Sequence, residues 1–296
     1  MSQFFRYWFY PLLLVATLTA AMLTMRADSN LQSAFAWFAL GRFILLLLVE
    51  WRLPFRREWS MTGRSFVRDL KYAVVLGGGG LAVKFAAGWF AIGVADNSQG
   101  ALSHWPVVAQ LLVVALTYEF FQYWQHRFSH EGRGPIGRFM WRAHVQHHLP
   151  RRVYLLMHVV GHPISFVIVM ALNIGVVYAL GVGKESAFLF YVLLGLQGLV
   201  SHFNVHITAG PLNYVLVGTE LHRAHHSADI AEAGNFGVLT PFWDLMFGTF
   251  RYRPGQAPVA LGVSDPRKYP SSNRLLETLA LPFRPSAIYE DAADEP

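Results

Sequence analysis

Six apolar stretches constrain this chain more than any other feature of its sequence. They lie at approximately residues 8–25, 31–49, 72–94, 107–124, 155–180 and 187–200. As helices, several of them are long enough to cross the roughly 30 Å of hydrocarbon in a bilayer. Of all residues, 54% are hydrophobic and only 14% are charged. We therefore predict an all-α, polytopic membrane protein with four to six membrane helices.

The number of membrane helices depends on three of these stretches. Arg42 interrupts the second, Lys84 interrupts the third, and the stretch at 187–200 is short enough to be re-entrant or tilted. The first stretch has a short basic start, as a secretory signal does, but no clear small-x-small cleavage site follows it. We interpret it as a retained anchor.

The basic residues predict which side of the membrane each loop faces, because short loops rich in Lys and Arg stay in the cytoplasm. Such residues crowd the loop at 50–71 and recur at 127–152, whereas the loop at 96–104 has none. The last two stretches then form a helical hairpin that turns at 181–184. The net charge of +6 suits an anionic cytoplasmic leaflet and requires no nucleic-acid partner.

Ten of the thirteen histidines fall into four tight groups. The groups are His126 and His130; His144, His147 and His148; His202 and His206; and His222, His225 and His226. A spacing of three or four residues places imidazoles on one face of a helix. The predicted topology brings all four groups to the cytoplasmic face, in a helical cap. A lone histidine is usually an ordinary core or surface residue, but two HxxHH strings in one chain indicate metal binding.

The donor set restricts the metal chemistry. The chain has no cysteine, which excludes thiolate zinc sites and iron–sulfur clusters. Imidazole binds iron, zinc, copper and nickel, so the ligand type does not name the metal. Ten histidines would supply two ions with about five ligands each, whereas a zinc site takes about four. Two such ions at the edge of a bilayer suit iron that reacts with dioxygen.

Several strings accompany the histidines in a fixed order. They are His126-Arg127 with His130, the run 144–148, Phe203-Asn204 beside His202, and then 221–226, 235–237, 241–244 and 247–249. In this order they resemble the fatty acid hydroxylase and sterol desaturase superfamily over approximately residues 110–250. The resemblance implies a non-haem di-iron centre with O2 as co-substrate. It implies metal-binding and catalytic roles for His126, His130, His144, His147, His148, His202, His222, His225 and His226, and His206 is a tenth candidate ligand.

The resemblance also implies an organisation and an activity. We expect N-terminal membrane helices at 1–105, a catalytic domain at 106–252 and a C-terminal cytoplasmic extension at 253–296. The expected reaction is hydroxylation of an unactivated C–H bond of a lipid that enters from the bilayer. Electrons would come from an external ferredoxin, or from a cytochrome with its reductase. Desaturation and ether-lipid oxidation at the same centre are alternatives, and a membrane metal transporter is an alternative of another class.

Metal-binding histidines usually donate their second ring nitrogen to an acceptor that fixes the ring. The candidates for this supporting role are Glu119, Asn204, Asp229, Asn235, Asp244 and His162. Glu119 lies seven residues before His126, which places both on one helix face. Helix capping or packing is an alternative role for Asp244, and a solvated turn is one for Asp229. The tail from Glu290 has no recognisable retrieval signal, which favours a bacterial inner membrane over the endoplasmic reticulum.

Overall fold

A bundle of long helices, with an irregular cap at one end, forms the computed structural model of this chain. The structure describes residues 3–27, 29–75, 79–96 and 100–284, with the backbone alone at 79–84 and 96. The helices are α1 Gln3–Arg26, α2 Leu31–Arg52, α3 Gly63–Val75, α4 Gly79–Asp96, α5 Val107–Glu131, α6 Gly134–His144, α7 Pro163–Leu180, α8 Lys184–Ser201, α9 Thr219–His225, α10 Phe242–Phe247 and α11 Leu275–Ala280. Within those residues only two isolated bridges pair extended backbone. The predicted all-α class is confirmed.

Four helices are long and apolar enough to cross a membrane, namely α1, α2, α5 and α7. This number lies within the predicted range of four to six. Most of their residues are not buried inside the bundle, as expected for helices whose outer faces contact lipid. The side chain of Asn30 caps α2 by accepting a hydrogen bond from Ser33 N at 2.8 Å. The side chain of Lys84, which interrupts the third stretch, lies outside the described residues.

Helix α8 is the centre of the bundle. Most of its side chains are buried, including Phe188, Phe190 and Leu196, and it packs against α1, α2, α4 and α5. The stretch at 187–200 was a candidate re-entrant or tilted segment, and in the structure it is a straightforward core helix.

The structure describes the third apolar stretch in two parts. Its first residues belong to α3, an amphipathic helix that ends at Val75, and α4 runs from Gly79 to Asp96. Tyr72, which begins the stretch, is buried on α3 and shares a hydrogen bond with Thr278. Both parts are helical, and residues 76–78, which join them, lie outside the described residues.

The fifth stretch is divided between two elements. Residues 155–159 form a single 3-10 turn, and α7 begins only at Pro163. A proline disfavours helical backbone in the residue before it, and His162 accordingly adopts φ −97° and ψ 141°. The helix predicted over 155–180 therefore begins later than predicted. The 3-10 turn before it places His158 at the cap end of the bundle.

The hairpin between α7 and α8 turns where the sequence predicted. Gly181 ends α7 with φ +56°, a conformation that favours glycine. Gly100 lies against it so closely that a Cβ atom on Gly100 would lie 2.1 Å from Gly181 Cα. The tight turn sends α8 back along the bundle, so that His202 at its end reaches the cap.

Residues 253–284 of the predicted C-terminal extension pack on the cap. Arg68 donates to Ser272 Oγ at 3.0 Å, and Trp141 donates to Tyr269 Oη at 2.7 Å. The Gln146 amide donates to the Thr278 carbonyl. The described part of this segment therefore covers the residues around the first HxxHH string. The tail from Glu290 lies outside the described residues.

Candidate metal centre

Nine histidines converge at the cap end of the bundle and form two groups. His126, His130, His144, His148 and His225 form the five-histidine group, and His147, His202, His222 and His226 form the four-histidine group. In each group, one ring nitrogen from every member lies within 4.8 Å of those of all the others. These nine are the histidines that the resemblance implied, and the structure brings them together from five segments.

Each segment ends or turns where its histidines are needed. His126 and His130 occupy the last turns of α5, and His144 is the last residue of α6. His147 and His148 lie on the single 3-10 turn that continues α6, while His202 directly follows α8. The remaining three lie on α9 and at its end: His222, His225 and His226.

The two HxxHH strings are shared crosswise between the groups. The first string gives its outer pair, His144 and His148, to the five-histidine group and His147 to the other. The second gives its outer pair, His222 and His226, to the four-histidine group and His225 to the other. The outer residues are one helical turn apart and share a direction. Each string therefore binds the two groups into one unit.

Backbone carbonyls fix the orientation of three rings. Nδ1 of His126 lies 2.7 Å from the Phe236 carbonyl, Nδ1 of His147 3.0 Å from that of Val160, and Nδ1 of His225 2.8 Å from that of Gly234. A carbonyl oxygen only accepts, so each of these Nδ1 atoms carries the hydrogen. The Nε2 atom of each of these rings points into the groups. In the neutral ring it therefore carries a lone pair and no hydrogen.

These lone pairs face other ring nitrogens at short range. Nε2 of His126 lies 3.1 Å from Nε2 of His144, and Nε2 of His147 lies 3.0 Å from Nε2 of His202. Nε2 of His130 and Nε2 of His225 are buried without a hydrogen-bond partner. Two ligands about 2.1 Å from one ion and at right angles to each other would be roughly 3 Å apart. The donor set thus fits one metal ion in each group.

Burial keeps the imidazoles in the form that binds metal. Loss of hydration lowers the pKa of His144, His148, His222, His225 and His226 well below the usual value, and the neighbouring imidazoles lower it further. The rings are therefore neutral at physiological pH, and a neutral imidazole is the metal-binding species.

Two of the predicted supporting carboxylates, Glu119 and Asp244, accept hydrogen bonds from backbone N–H groups rather than from the histidine rings. Glu119 accepts from Val238 N at 2.5 Å and from Leu239 N at 3.0 Å. Asp244 accepts from Phe236 N and Gly237 N, both at 2.8 Å. Neither carboxylate has a histidine among these partners. Together they hold the segment 236–239, whose Phe236 carbonyl orients His126.

The contacts of Glu119 and Asp244 with residues 236–239, here called the clamp, explain why residue 237 is a glycine. A Cβ atom on Gly237 would lie 2.6 Å from the Thr240 carbonyl oxygen, 2.9 Å from Asp244 Oδ2 and 3.0 Å from Glu119 Oε1. Any larger residue would push the segment away from both carboxylates. The string Asn235-Phe236-Gly237 is therefore a structural requirement of the clamp.

The three other non-histidine candidates also contact backbone rather than rings. Asn235, at φ 60°, donates to the carbonyls of Leu221 and Arg251 at 3.2 and 2.7 Å. Asn204 donates to the Arg56 carbonyl at 2.9 Å. Asp229 accepts from Ala231 N at 2.9 Å in a turn, which is the alternative reading of that residue.

His158 and His162, one turn apart in sequence, have different surroundings. Nδ1 of His158 lies 2.8 Å from Nδ1 of His202. His162 caps α7 by accepting from Ile164 N at 3.1 Å, and its other ring nitrogen donates to the Leu279 carbonyl at 3.1 Å. His158 is thus the histidine that holds His202, whereas His162 caps a helix.

His206 is the one predicted ligand that the structure does not bring into either group. Its ring lies 4.6 Å from that of Phe55, and the chain leaves the site after His202 through extended residues that pair 205 with 54. The four-residue spacing of His202 and His206 would align them on a helix, but α8 ends at Ser201. The helical periodicity therefore does not apply to this pair.

Glu50 is a supporting residue that the sequence reading missed. It lies near the end of α2 and is buried, and its carboxylate accepts from Asn204 N at 2.7 Å and from Leu155 N at 3.0 Å. These contacts fix the chain on either side of the four-histidine group. The signal was available, because an acidic residue at the end of an apolar helix needs a partner for the same reason as Glu119 does.

Two cavities lie on different sides of the histidines. One, of about 120 Å³, is lined by histidines from both groups and by apolar residues of α5, α7 and α8, among them Tyr118, Phe166 and Leu194. The other, of about 570 Å³, is more polar and reaches the five-histidine group past Trp141, Arg127 and Lys268. The site is therefore accessible to apolar ligands from the bundle and to polar ones from the cap.

A helical membrane bundle that buries nine convergent histidines at one end has the architecture of a membrane-bound metalloenzyme. The family model described as fatty acid hydroxylase matches residues 111–249, a segment that contains all nine histidines. The chain carries a fatty acid hydroxylase domain at these residues. It is an oxidoreductase of the oxygenase type.

The chain is also similar to the ornithine lipid hydroxylase OlsE of Rhizobium tropici. The two are 29% identical over 287 residues, which cover 93% of this chain and 82% of the relative. The similarity therefore includes the N-terminal helices as well as the histidine-bearing segment. No solved structure matches the chain.

Proposed function

We propose that this protein is an integral-membrane di-iron oxygenase that hydroxylates an unactivated C–H bond of a lipid. The observation that carries the proposal is the crosswise sharing of two HxxHH strings between two buried histidine groups. A single metal site would use each string on one ion. Two bound irons would supply the reaction with dioxygen at a site whose donors are all imidazoles.

The protein's own residues would provide ligands, orientation and exclusion of water. The five-histidine and four-histidine groups would each hold one iron, with rings fixed by the carbonyls of residues 160, 234 and 236. The 120 Å³ cavity is lined by Leu194, Phe166 and Val169. It would hold the reacting part of the lipid's acyl chain and keep water away from it. Hydroxylation is favoured over desaturation because the relative is named a hydroxylase.

The relative's name also favours a substrate class. OlsE is an ornithine lipid hydroxylase, and we infer that the substrate here is a membrane lipid with an acyl chain, of which an amino-acid-linked lipid is the first to test. No described segment suggests a haem or flavin site, so an external ferredoxin, or a cytochrome with its reductase, would deliver electrons. The basic loops support a cytoplasmic position for the cap, and a bacterial inner membrane is the location that we propose.

The test is metal content combined with product analysis. Iron per chain and Mössbauer spectra of iron-57-loaded protein are measured for wild type, His147→Ala and His225→Ala, with His104→Ala as the control outside both groups. We expect two coupled irons in wild type and in the control, and loss of coupling in the other two variants. Cells that make ornithine lipid and express wild type should accumulate lipid heavier by one oxygen atom.

Two results would reject the proposal. One is a single ion per chain whose amount is indifferent to both substitutions. The other is fully iron-loaded protein that, given reductant and O2, oxidises no lipid in the extract. Vectorial metal uptake by reconstituted vesicles would instead support the transporter alternative.

A further inference from the structure

A third cavity within the bundle is about 530 Å³ in volume and almost entirely apolar. It adjoins the 120 Å³ cavity beside the histidines, here called the metal-side cavity. It lies between α2, α4 and α8, and both cavities are lined by His158, Leu194 and Gly198. On its outer side it is bordered by Trp37 and Leu40, which are exposed on α2. A ligand entering from the lipid phase would therefore pass through this cavity to reach the histidines.

The wall of this apolar cavity contains a buried cation. Arg42, in the middle of the membrane helix α2, is only 6% exposed. Its Nε donates to the Phe38 carbonyl at 2.9 Å and its Nη1 donates to the Val192 carbonyl of α8. Its Nη2 is buried without a hydrogen-bond partner among the described residues. The described salt bridges give it no carboxylate.

Such a group is costly without a ligand. A charged side chain in the hydrocarbon region loses several kcal/mol of hydration, and an unsatisfied buried N–H adds to that cost. The two backbone carbonyls accept two of the five N–H bonds of the guanidinium, and they carry no negative charge. The arrangement holds the guanidinium in the cavity wall and leaves its Nη2 group without an acceptor among the described residues.

A glycine of α8 packs directly against Nη2 of Arg42. Gly195, which also lines the cavity, faces Arg42 so closely that a Cβ atom there would lie 3.2 Å from Nη2. Gly198 follows three residues later, one turn nearer the histidines. The glycines keep a path open along α8 between the guanidinium and the metal-side cavity.

We propose that Arg42 anchors an anionic oxygen group, a carboxylate or a phosphate, of a lipid that lies in this cavity. The identification of this lipid as the substrate rests on the proposed function, whereas the anion site at Arg42 does not. From Gly195 to His202 the axis of α8 rises seven residues, or roughly 10 Å. A lipid held by its anionic group at Arg42 would therefore present to the histidines a carbon at a fixed distance from that group.

The test compares anionic and neutral ligands of equal chain length. Equilibrium binding of radiolabelled palmitate, hexadecyl phosphate and hexadecanol is measured on the metal-loaded full-length protein in detergent, for wild type, Arg42→Met and Arg42→Lys. We expect at least one anion to bind wild type about tenfold more tightly than hexadecanol. Arg42→Met should remove this preference and leave hexadecanol binding unchanged, while Arg42→Lys should retain part of it. Arg52→Met, at the exposed end of α2, is the matched control.

The outcomes separate the sources of the anion and the two proposals. Preference for palmitate indicates a carboxylate lipid, and preference for hexadecyl phosphate indicates a phospholipid. Equal affinity of all three ligands for wild type, or an unchanged preference in Arg42→Met, would overturn the anion site. Gly195→Ala, which crowds Nη2 from α8, serves if Arg42→Met does not fold, and it too should reduce the preference. An Arg42-dependent preference in protein that oxidises no lipid would keep the anion site and reject the oxygenase.

Discussion

Nδ1 of His158 lies 2.8 Å from Nδ1 of His202, and this contact fixes the ring that joins α8 to the four-histidine group. Nε2 of His202 lies 3.0, 3.1 and 3.2 Å from the Nε2 atoms of His147, His222 and His226. If that nitrogen binds metal, the hydrogen of His202 is on Nδ1 and is donated to His158, the nearer acceptor, with Ser201 Oγ at 3.1 Å as a second one. The 3-10 turn that precedes α7 carries His158 and thus supplies an acceptor for this hydrogen.

Replacing His158 by Leu should therefore weaken metal binding without removing a ligand. We expect an affinity about 10–100-fold lower for the ion in the four-histidine group. His158→Asn, whose side-chain oxygen can accept in place of Nδ1, should recover most of the loss. Metal titration followed by spectroscopy checks both variants. Equal metal affinity in wild type and His158→Leu would contradict the role.

Glu119 should contribute to stability through the clamp on residues 236–239. Glu119→Ala leaves two backbone N–H groups unsatisfied in a buried site, so we expect a loss of about 2–4 kcal/mol in the free energy of unfolding. Glu131→Ala on the same helix is the control. Its ion pair with Arg127 is partly exposed and should contribute less than about 0.5 kcal/mol. Denaturation of the two variants in detergent compares these losses.

The convergence of the histidines was predictable from sequence, but the way their rings are supported was not. Apolar length and arginine placement predicted a bundle that returns residues 126, 144, 202 and 222 to one end, and the structure brings them together. The acceptors are backbone carbonyls at 160, 234 and 236. Every residue has a carbonyl, so no residue type in the sequence marks these positions.

The crosswise sharing was also beyond sequence reading. His147 and His148 are adjacent in sequence yet belong to different groups, and the direction of each ring depends on the 3-10 turn at 145–148. Arg42 was noted only as an interruption of an apolar stretch. Its significance depends on a cavity formed by α2, α4 and α8, which are distant in sequence.

His206 provides a direct test of structure against sequence spacing. Because it contacts Phe55 and lies in neither group, His206→Gln should retain wild-type metal content and activity. Burial, together with the positive charges of Arg6 and Arg223, lowers the pKa of His206. Folding therefore disfavours its protonation, and stability from this residue is lost as the pH falls below the ordinary histidine value. The unfolding temperature of His206→Gln should decline less than that of wild type between neutral and mildly acidic pH. Loss of metal in this variant would restore His206 as a ligand.

The two groups should respond separately to pairs of substitutions. His147→Ala with His226→Ala removes two ligands from the four-histidine group and leaves the other group complete, so we expect about half of the bound metal to remain. His148→Ala with His226→Ala removes one ligand from each group and should weaken both sites. The comparison is matched, because the variants share one substitution and differ only in which of two adjacent histidines is removed. Metal per chain across a chelator titration separates the cases, with one tightly bound population in the first variant and two weakened populations in the second. Identical titrations would show that the histidines act as one undivided cluster, and would remove the crosswise arrangement as the basis of a two-metal centre.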